Sequence, residues 1–108
     1  MEINELINKA HRNAVEHGFW DHYDNINGDM VEIKKAFVSQ FLMLIVCEVS
    51  EAVEGLRKND EENFKEELAD IAIRLADLCG GLDIDLEAEI IKKMDKNKLR
   101  SYKHGKSF

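Results

Sequence analysis

The chain has 108 residues with no proline and six glycines, a length that predicts one domain spanning residues 1–108. Glu, Lys, Leu, Ile and Ala are abundant, and since these residues favour helices, we predict an all-α fold. The formal net charge of −7 argues against a general nucleic-acid-binding protein.

The first predicted helix covers residues 2–17, where apolar side chains recur at helical spacing. Gly18 should end it, and residues 21–29, which are polar and contain Asn27-Gly28, are predicted to form a loop. Trp20 stands beside this loop. It is either an aromatic lid over the helices or a platform on which a planar ligand such as a base stacks.

A long second helix is predicted from about Met30 to Lys58. One seam of this helix has a regular 4-3-4-3-4 spacing and consists of Phe37, Phe41, Leu44, Glu48, Glu51 and Gly55. Two glutamates therefore stand where the pattern requires core residues. Burying an acid is costly unless the acid is paired or binds a metal, so this placement favours a functional role.

The segment Phe41–Cys47 is apolar on every side. A helix of this kind has to be covered on several faces, so we expect a dimer or tetramer. The same segment is too short to span a bilayer, and no membrane partner is expected.

Cys47 and Cys79 each lie in an apolar helical pattern without a Cys or His at zinc spacing. We expect both to be buried, reduced thiols in a cytoplasmic protein without a signal peptide.

Residues 57–60 are predicted to form the turn of a central antiparallel helical hairpin. The third helix should run from about Glu61 to Cys79 and end at Gly80-Gly81. A polar stripe beside its apolar face spans about 80° of arc and consists of Glu67, Asp70, Arg74 and Asp77. Arg74 and Asp77 are either an ordinary i, i+3 surface pair or part of a site.

Asp60 and Asp85 are the predicted N-caps of the third and fourth helices, and the fourth should run from about Leu86 to Leu99. Residues 92–108 contain seven basic residues and one acidic residue, whereas residues 1–91 have a net charge of −13. An acidic body with a basic tail suits a substrate that brings metal and phosphate, although a solvated tail has the same composition. The tail, about residues 100–108, should be ordered only against a partner subunit or a ligand.

Four carboxylates are symmetric about the predicted turn. Glu51 and Glu67 are each eight residues from Asn59, and Glu48 and Asp70 are each eleven residues away. In an antiparallel hairpin they would converge ~12–16 Å from the turn. Like charges ~4 Å apart repel by on the order of 4 kcal/mol at a surface-like dielectric, so a divalent cation or protonation is needed.

The predicted donors are all oxygen atoms, which select hard cations, so Mg²⁺ is the expected ion and Mn²⁺ the alternative. The sequence contains no Glu-x-x-His pair, which is the signature of carboxylate-bridged di-iron bundles. Metal-assisted hydrolysis of a phosphate is therefore favoured. Four carboxylates indicate two ions, or one ion and a carboxylate free to act as a base.

The array Glu48-x-x-Glu51 … Glu67-x-x-Asp70, with its flanks at residues 50–57 and 69–77, resembles the MazG-like family of all-α nucleoside triphosphate pyrophosphohydrolases. Two further stretches resemble single-domain members: Gly18-Phe-Trp20, and the tail with Lys93, Asn97, Arg100, Tyr102 and His104-Gly105-Lys106. The chain departs from the pattern at Ser101, where relatives often have proline.

The resemblance implies a four-helix bundle that assembles as a homodimer or homotetramer. It also implies Mg²⁺-dependent hydrolysis of an NTP or dNTP between the α- and β-phosphates, which would remove unwanted nucleotides from the pool. The implied metal ligands are Glu48, Glu51, Glu67 and Asp70, with Glu48 also the base. The candidate substrate-binding residues are Trp20 at the base, Arg74 and Asp77 of the polar stripe, and Lys93, Asn97, Arg100 and Tyr102 at phosphate or sugar, in the same or a neighbouring subunit.

The alternative from a different class is a non-catalytic helical oligomerisation or regulatory module that binds a basic partner. Its seam glutamates would be paired with Arg or Lys, and metal would not change its stability. A third hypothesis is a phosphohydrolase acting on another phosphorylated metabolite. The sequence leaves open the preferred base and sugar and the number of metal ions.

Overall fold

The computed structural model describes residues 1–26, 31–100 and 102–107, without the side chains of Tyr102 and His104. The elements in chain order are α1 (Ile3–Glu16), α2 (Asp21–Asp24), α3 (Val31–Arg57), α4 (Glu61–Gly81), α5 (Leu86–Lys98) and a short 3₁₀ helix (Tyr102–Gly105). These described ranges contain helices and no strand, which confirms the all-α prediction. α4 packs against both α3 and α1, and α5 packs against α1.

A tight turn joins α3 and α4 into the predicted hairpin. Asn59 has a left-handed backbone with φ of 56°, and the Asp60 amide donates to the Gly55 carbonyl at 2.9 Å. The Asp60 side chain caps α4 by accepting from the Asn63 amide at 3.1 Å. A Cβ at Gly55 would lie 3.1 Å from the Phe64 backbone nitrogen, so glycine allows the two helices to approach closely here.

The predicted end of the third helix at Gly80-Gly81 is confirmed, since α4 ends at Gly81, although both glycines are still helical and the helix extends two residues past Cys79. The Leu82 amide continues the helical pattern by donating to the Leu78 carbonyl at 3.1 Å. Both glycines also allow α1 and Trp20 to pack closely against α4. A Cβ at Gly80 would lie 2.6 Å from the His11 Cβ, and one at Gly81 would lie 2.1 Å from the Trp20 ring.

The prediction that residues 21–29 form a loop is wrong at its start, because Asp21–Asp24 form one helical turn, α2. The Asp24 amide donates to the Trp20 carbonyl at 2.9 Å, and the Tyr23 ring meets the Trp20 ring edge-on at 5.2 Å. This helical turn therefore begins at the buried Trp20, and local helix propensity does not predict it. Residues 27–29 lie outside the described part of the chain.

The second predicted cap is confirmed at α5, where the Asp85 side chain accepts from the Ala88 amide at 3.1 Å.

The expectation that both thiols are buried holds for Cys79 but is wrong for Cys47, which is exposed on α3. The reason is that α3 meets other described elements mainly through the face that contacts α4 and Trp20.

α3 also has an outer apolar stripe that no described element covers. Its members are 44–59% exposed: Leu42, Met43, Val46, Val49, Val53 and Leu56. The 27-residue α3 is long and apolar enough to cross a membrane, by length and composition alone. Apolar core helices have the same property. The segment Phe41–Cys47 by itself is too short. Glu48, Glu51 and Glu54 lie in the second half of this helix.

Candidate active site

Three carboxylates converge between α3 and α4. Glu48 of α3 and Glu67 and Asp70 of α4 each offer one oxygen, and the three oxygens lie within 4.8 Å of one another. The hairpin produces this cluster because Glu48 and Asp70 are equally distant from its turn, while Glu67 and Asp70 share a face at i, i+3. Glu51 is exposed and is not one of the three, although its charge acts on Glu67.

Glu67 is the buried member of this carboxylate cluster. Its Oε2 is fully buried and has no hydrogen-bond partner among the described residues. The pKa of Glu67 is raised from 4.5 to about 7, first by a hydrogen bond shared with Glu48, then by burial and by the neighbouring Glu51. A buried carboxyl group in this position requires either a proton or a cation.

Glu48 has a cationic neighbour in the site. The Arg74 Nε donates to Glu48 Oε1 at 2.9 Å. The pKa of Glu48 lies below its ordinary value because of the hydrogen bond with Glu67 and the contact with Arg74, with burial acting in the opposite direction. Arg74 thus neutralises one carboxylate, while Glu67 and Asp70 have no described ion-pair partner.

The cluster fits a hard divalent cation. Its donors are carboxylate oxygens from two helices, which is the ligand type that Mg²⁺ and Mn²⁺ prefer. The partnerless Oε2 of Glu67 is the atom that most needs a cation. The exposed position of Asp70 leaves one side of the cluster open to a substrate.

A cleft of about 260 Å³ leads from the carboxylates along α4. Its wall is formed by Ala10, Asn13, Ala14, Phe19, Phe41, Leu44, Glu48, Asp70, Ile73, Arg74 and Asp77. The cleft is acidic beside Glu48 and Asp70, apolar along the side chains that follow, and polar again around Asp77 and Asn13. Two alanines of α1 leave the space that the cleft occupies.

Asp77 is held by two donors from outside α4. Its Oδ1 accepts from the His11 Nδ1 at 3.0 Å and from the Trp20 Nε1 at 2.8 Å. Arg74 and Asp77 therefore do not form the alternative i, i+3 surface pair, since each has a partner on another element.

Trp20 is 1% exposed and stacks on Phe41 with ring centroids 4.4 Å apart. It does not line the cleft. The structure therefore places Trp20 as a lid over the helices, the first of its two predicted roles, and its ring has no face open to a base.

Among the described residues, the predicted Lys93, Asn97 and Arg100 of the fourth helix and tail do not line this cleft. Lys93 and Asn97 belong to α5, which packs mainly on α1. The Oδ1 of Asn97 is buried without a hydrogen-bond partner among the described residues, and Arg100 is exposed. The side chain of Tyr102 lies outside the described part.

The sequence analysis did not identify three residues of α1 and its end that belong to the site: His11, Asn13 and Phe19. Phe19 is 58% exposed and lines the cleft. One signal was available for His11, which follows Ile7 by four positions and precedes Ala14 by three, at the border of the buried stripe.

Comparison with protein families gave a match that covers the carboxylates of this site. The model of the MazG nucleotide pyrophosphohydrolase domain matches residues 38–104, which include the four acidic residues of the paired motif. The match begins after α1, so His11, Phe19 and Trp20 lie outside it. Comparisons with curated proteins and with solved structures gave no match. Because the matched region is more than half of the 108 residues, the chain belongs to the MazG nucleotide pyrophosphohydrolase domain family.

Proposed function

We propose that the protein is a Mg²⁺-dependent nucleoside triphosphate pyrophosphohydrolase, which converts an NTP or dNTP and water to the monophosphate and pyrophosphate. The main supporting observation is the convergence of Glu48, Glu67 and Asp70 at one end of a cleft, with an oxygen of Glu67 left without a partner. Membership of the family supports hydrolysis of a nucleotide pyrophosphate bond. The proposed setting is the cytoplasm, where free thiols stay reduced.

Glu48, Glu67 and Asp70 would hold the cation, and Glu51 beside them is the fourth proposed ligand. Mg²⁺ is proposed because the donors are carboxylates, and Mn²⁺ should substitute for it. When bound, the cation would stabilise negative charge on the phosphate oxygens.

Glu48 is the proposed base because it lines the cleft and is one of the converging carboxylates. A base has to be ionised, and the Arg74 contact favours the ionised form. Glu48 would take a proton from the water that attacks the α-phosphorus as the bond to the pyrophosphate oxygen breaks. Arg74, which lines the cleft, would then donate to a phosphate oxygen.

A triphosphate needs more positive charge than Arg74 provides, and Arg74 is the single arginine among the described residues that line the cleft. Lys93, Asn97, Arg100 and Tyr102 are proposed to supply phosphate and sugar contacts from a neighbouring copy of the chain, since the first three are not among the described residues that line the cleft of their own copy. The exposed ring of Phe19 takes the place first assigned to Trp20 as the stacking surface for the base.

The outer stripe of α3 supports the proposed homodimer or homotetramer. Leu42, Val46, Val49, Val53 and Leu56 follow a 4-3-4-3 spacing, the pattern of a helix that pairs with another helix. A second copy of α3 offers an identical surface, as a twofold interface requires.

A nucleotide panel tests the proposal. The purified protein is incubated with canonical and damaged NTPs and dNTPs in Mg²⁺ or Mn²⁺, and the products are identified. We expect pyrophosphate and a monophosphate from at least one nucleotide, and loss of activity in Glu48→Gln and Glu67→Gln with the helical content unchanged. Glu66→Gln, on the exposed side of α4, is the matched control. No turnover in the whole panel would reject the proposal, and orthophosphate release would indicate a different phosphohydrolase.

The Arg74–Glu48 pair favours a second candidate, the non-catalytic module that binds a basic partner, because that hypothesis expected a seam glutamate to be paired with a basic residue. Thermal melting distinguishes the two. A cation at 100 times its Kd adds ~2.7 kcal/mol to the free energy of unfolding. An unchanged melting temperature in Mg²⁺ and Mn²⁺ would favour the module.

A further inference from the structure

Asp77 and Asp70 lie on the same face of α4. They are seven residues apart, which places them within ~20° of each other around the helix and ~10 Å apart along it. Both line the same cleft, Asp70 at the carboxylate cluster and Asp77 two helical turns farther along α4. This separation is comparable with the span of a nucleoside from its 5′-phosphate to the edge of its base. A nucleotide whose phosphates lie at Asp70 would bring its base, not its sugar, to Asp77.

The carboxylate of Asp77 has one oxygen occupied by the protein. Both described hydrogen bonds, from His11 and from Trp20, end on Oδ1. The side chain is 14% exposed and lines the cleft, so Oδ2 is the oxygen that a ligand can approach. An ionised carboxylate has acceptors and no donor. The group facing it must therefore supply a hydrogen.

We propose that Asp77 determines base specificity by accepting a hydrogen bond from an exocyclic amino group, at position 4 of a pyrimidine or position 6 of a purine. The inference rests on the proposed function. Cytosine and adenine present such a group, whereas uracil, thymine and hypoxanthine present a carbonyl oxygen there. A carbonyl facing a carboxylate leaves two acceptors without a hydrogen, and sites built around a hydrogen bond strongly reject analogues that cannot form it.

His11 is a positioning residue in this proposal. Because a carboxylate only accepts, the His11 Nδ1 must carry the hydrogen of the 3.0 Å bond. The second donor, Trp20, is held by its stacking on Phe41 and its contact with Gly81. Two donors from different elements therefore hold Oδ1 away from the cleft and direct Oδ2 into it.

The arrangement predicts an inversion of specificity in Asp77→Asn. The side-chain oxygen of the new amide has to stay on the two donors, which turns its NH₂ group toward the cleft. That group donates to a carbonyl and cannot accept from an amino group. The preference should then pass from amino to carbonyl bases.

Two matched substrate pairs test the inference: dCTP against dUTP, and dATP against dITP. The members of each pair differ in whether an amino group or a carbonyl oxygen would face Asp77. We expect the wild type to have at least a tenfold higher kcat/KM for the amino member of at least one pair, and Asp77→Asn to favour the carbonyl member of that pair. Glu66→Gln should keep the wild-type ratio. His11→Ala should raise KM for the amino substrate more than it lowers kcat, and His11→Asn, which keeps a donor near the same position, should restore part of the KM.

The inference would be overturned if the wild type had equal kcat/KM for the two members of each pair. It would also be overturned if Asp77→Asn kept the wild-type ratio of kcat/KM values. Binding of dCMP and dUMP, measured by calorimetry, gives a readout without turnover. Hydrolysis without an amino preference in turnover or binding rejects the role of Asp77 and leaves the proposed function standing. A dCMP preference that Asp77→Asn inverts, without hydrolysis of any nucleotide, supports the role and rejects the proposed function. If Asp77→Asn does not fold, the inference is decided by the wild-type kcat/KM ratios for the two substrate pairs and by wild-type binding of dCMP and dUMP.

Discussion

Glu48 of α3 and Arg74 of α4 are joined across the helical hairpin by a hydrogen bond of 2.9 Å between Nε and Oε1. The Glu48 side chain is 12% exposed and the Arg74 side chain 36% exposed, so the pair is only partly screened by water. Glu48 also contributes an oxygen to the carboxylate cluster with Glu67 and Asp70. Arg74 and a bound cation therefore compete for the same carboxylate.

This competition predicts that Arg74→Gln binds Mn²⁺ more tightly than the wild type. The gain should be up to about fivefold, since a solvent-screened ion pair contributes up to ~1 kcal/mol. Isothermal calorimetry measures the change. Arg57→Gln is the matched control, because Arg57 is an exposed arginine that pairs only with Glu54 among the described residues. Weaker Mn²⁺ binding in Arg74→Gln would show that the arginine helps to organise the cluster.

Glu67→Gln should abolish stabilisation by the cation. The substitution keeps the size of the side chain but removes the charge of the proposed ligand, a buried carboxylate whose Oε2 has no described partner. Differential scanning calorimetry with and without Mg²⁺ provides the measurement, and Glu66→Gln is the control. If Glu67→Gln gained as much stability from Mg²⁺ as the wild type, Glu67 would not be a ligand.

The raised pKa of Glu67 predicts a pH dependence of the metal-free protein. Because the folded-state pKa of about 7 lies above the ordinary 4.5, the contribution of Glu67 to stability is fully present below pH 4.5. It is lost as the pH rises toward and through about 7. The lowered pKa of Glu48 acts in the opposite direction but below its ordinary 4.5, outside this window.

Urea unfolding in a chelator at about pH 5 to 8 tests this dependence. The free energy of unfolding of the wild type should fall relative to that of Glu67→Gln as the pH rises, and Mg²⁺ should offset the fall at the alkaline end. Parallel profiles for the two proteins would contradict the assigned pKa. The comparison with Glu67→Gln removes the contribution of the histidines, which titrate in the same range.

Gly81→Ala should destabilise the protein although alanine is the better helix former. A Cβ at this position would lie 2.1 Å from the Trp20 ring, and overpacking costs ~1–3 kcal/mol, more than the ~1 kcal/mol gained from helix propensity. In a Trp20→Phe background, the smaller ring removes the contacting atoms, so the same substitution should be neutral or stabilising. A double-mutant cycle by urea unfolding measures this coupling, and additive effects would contradict the packing explanation.

Val46→Lys should reduce the oligomeric state. The outer stripe of α3 is half exposed in one chain, and a charge at its centre would be buried without a partner in a paired interface. Light scattering coupled to size-exclusion chromatography measures the mass. Gln40→Lys, on another face of α3, is the control. A wild type that is monomeric in the absence of detergent would reject the proposed pairing of α3.

Much of the fold followed from local patterns. The hairpin and the caps at Asp60 and Asp85 were predicted because turn and capping residues act within a few positions of themselves. The packing role of Gly80 and Gly81 was not predicted, because it depends on α1 and the turn after it, about sixty residues or more earlier in the chain. The sequence left two roles open for Trp20 for the same reason, since its burial depends on Asp77 and Phe41.

The sequence by itself determined that Glu48, Glu67 and Asp70 come together, because helix periodicity and a short turn leave two packed antiparallel helices little freedom. It also contained the domain match that places the chain in its family. Only the tertiary structure decided that Arg74 pairs with Glu48 and that His11 and Trp20 orient Asp77. These contacts join residues 26 to 66 positions apart. They depend on how α1 and α3 pack on α4, and no local periodicity specifies that packing.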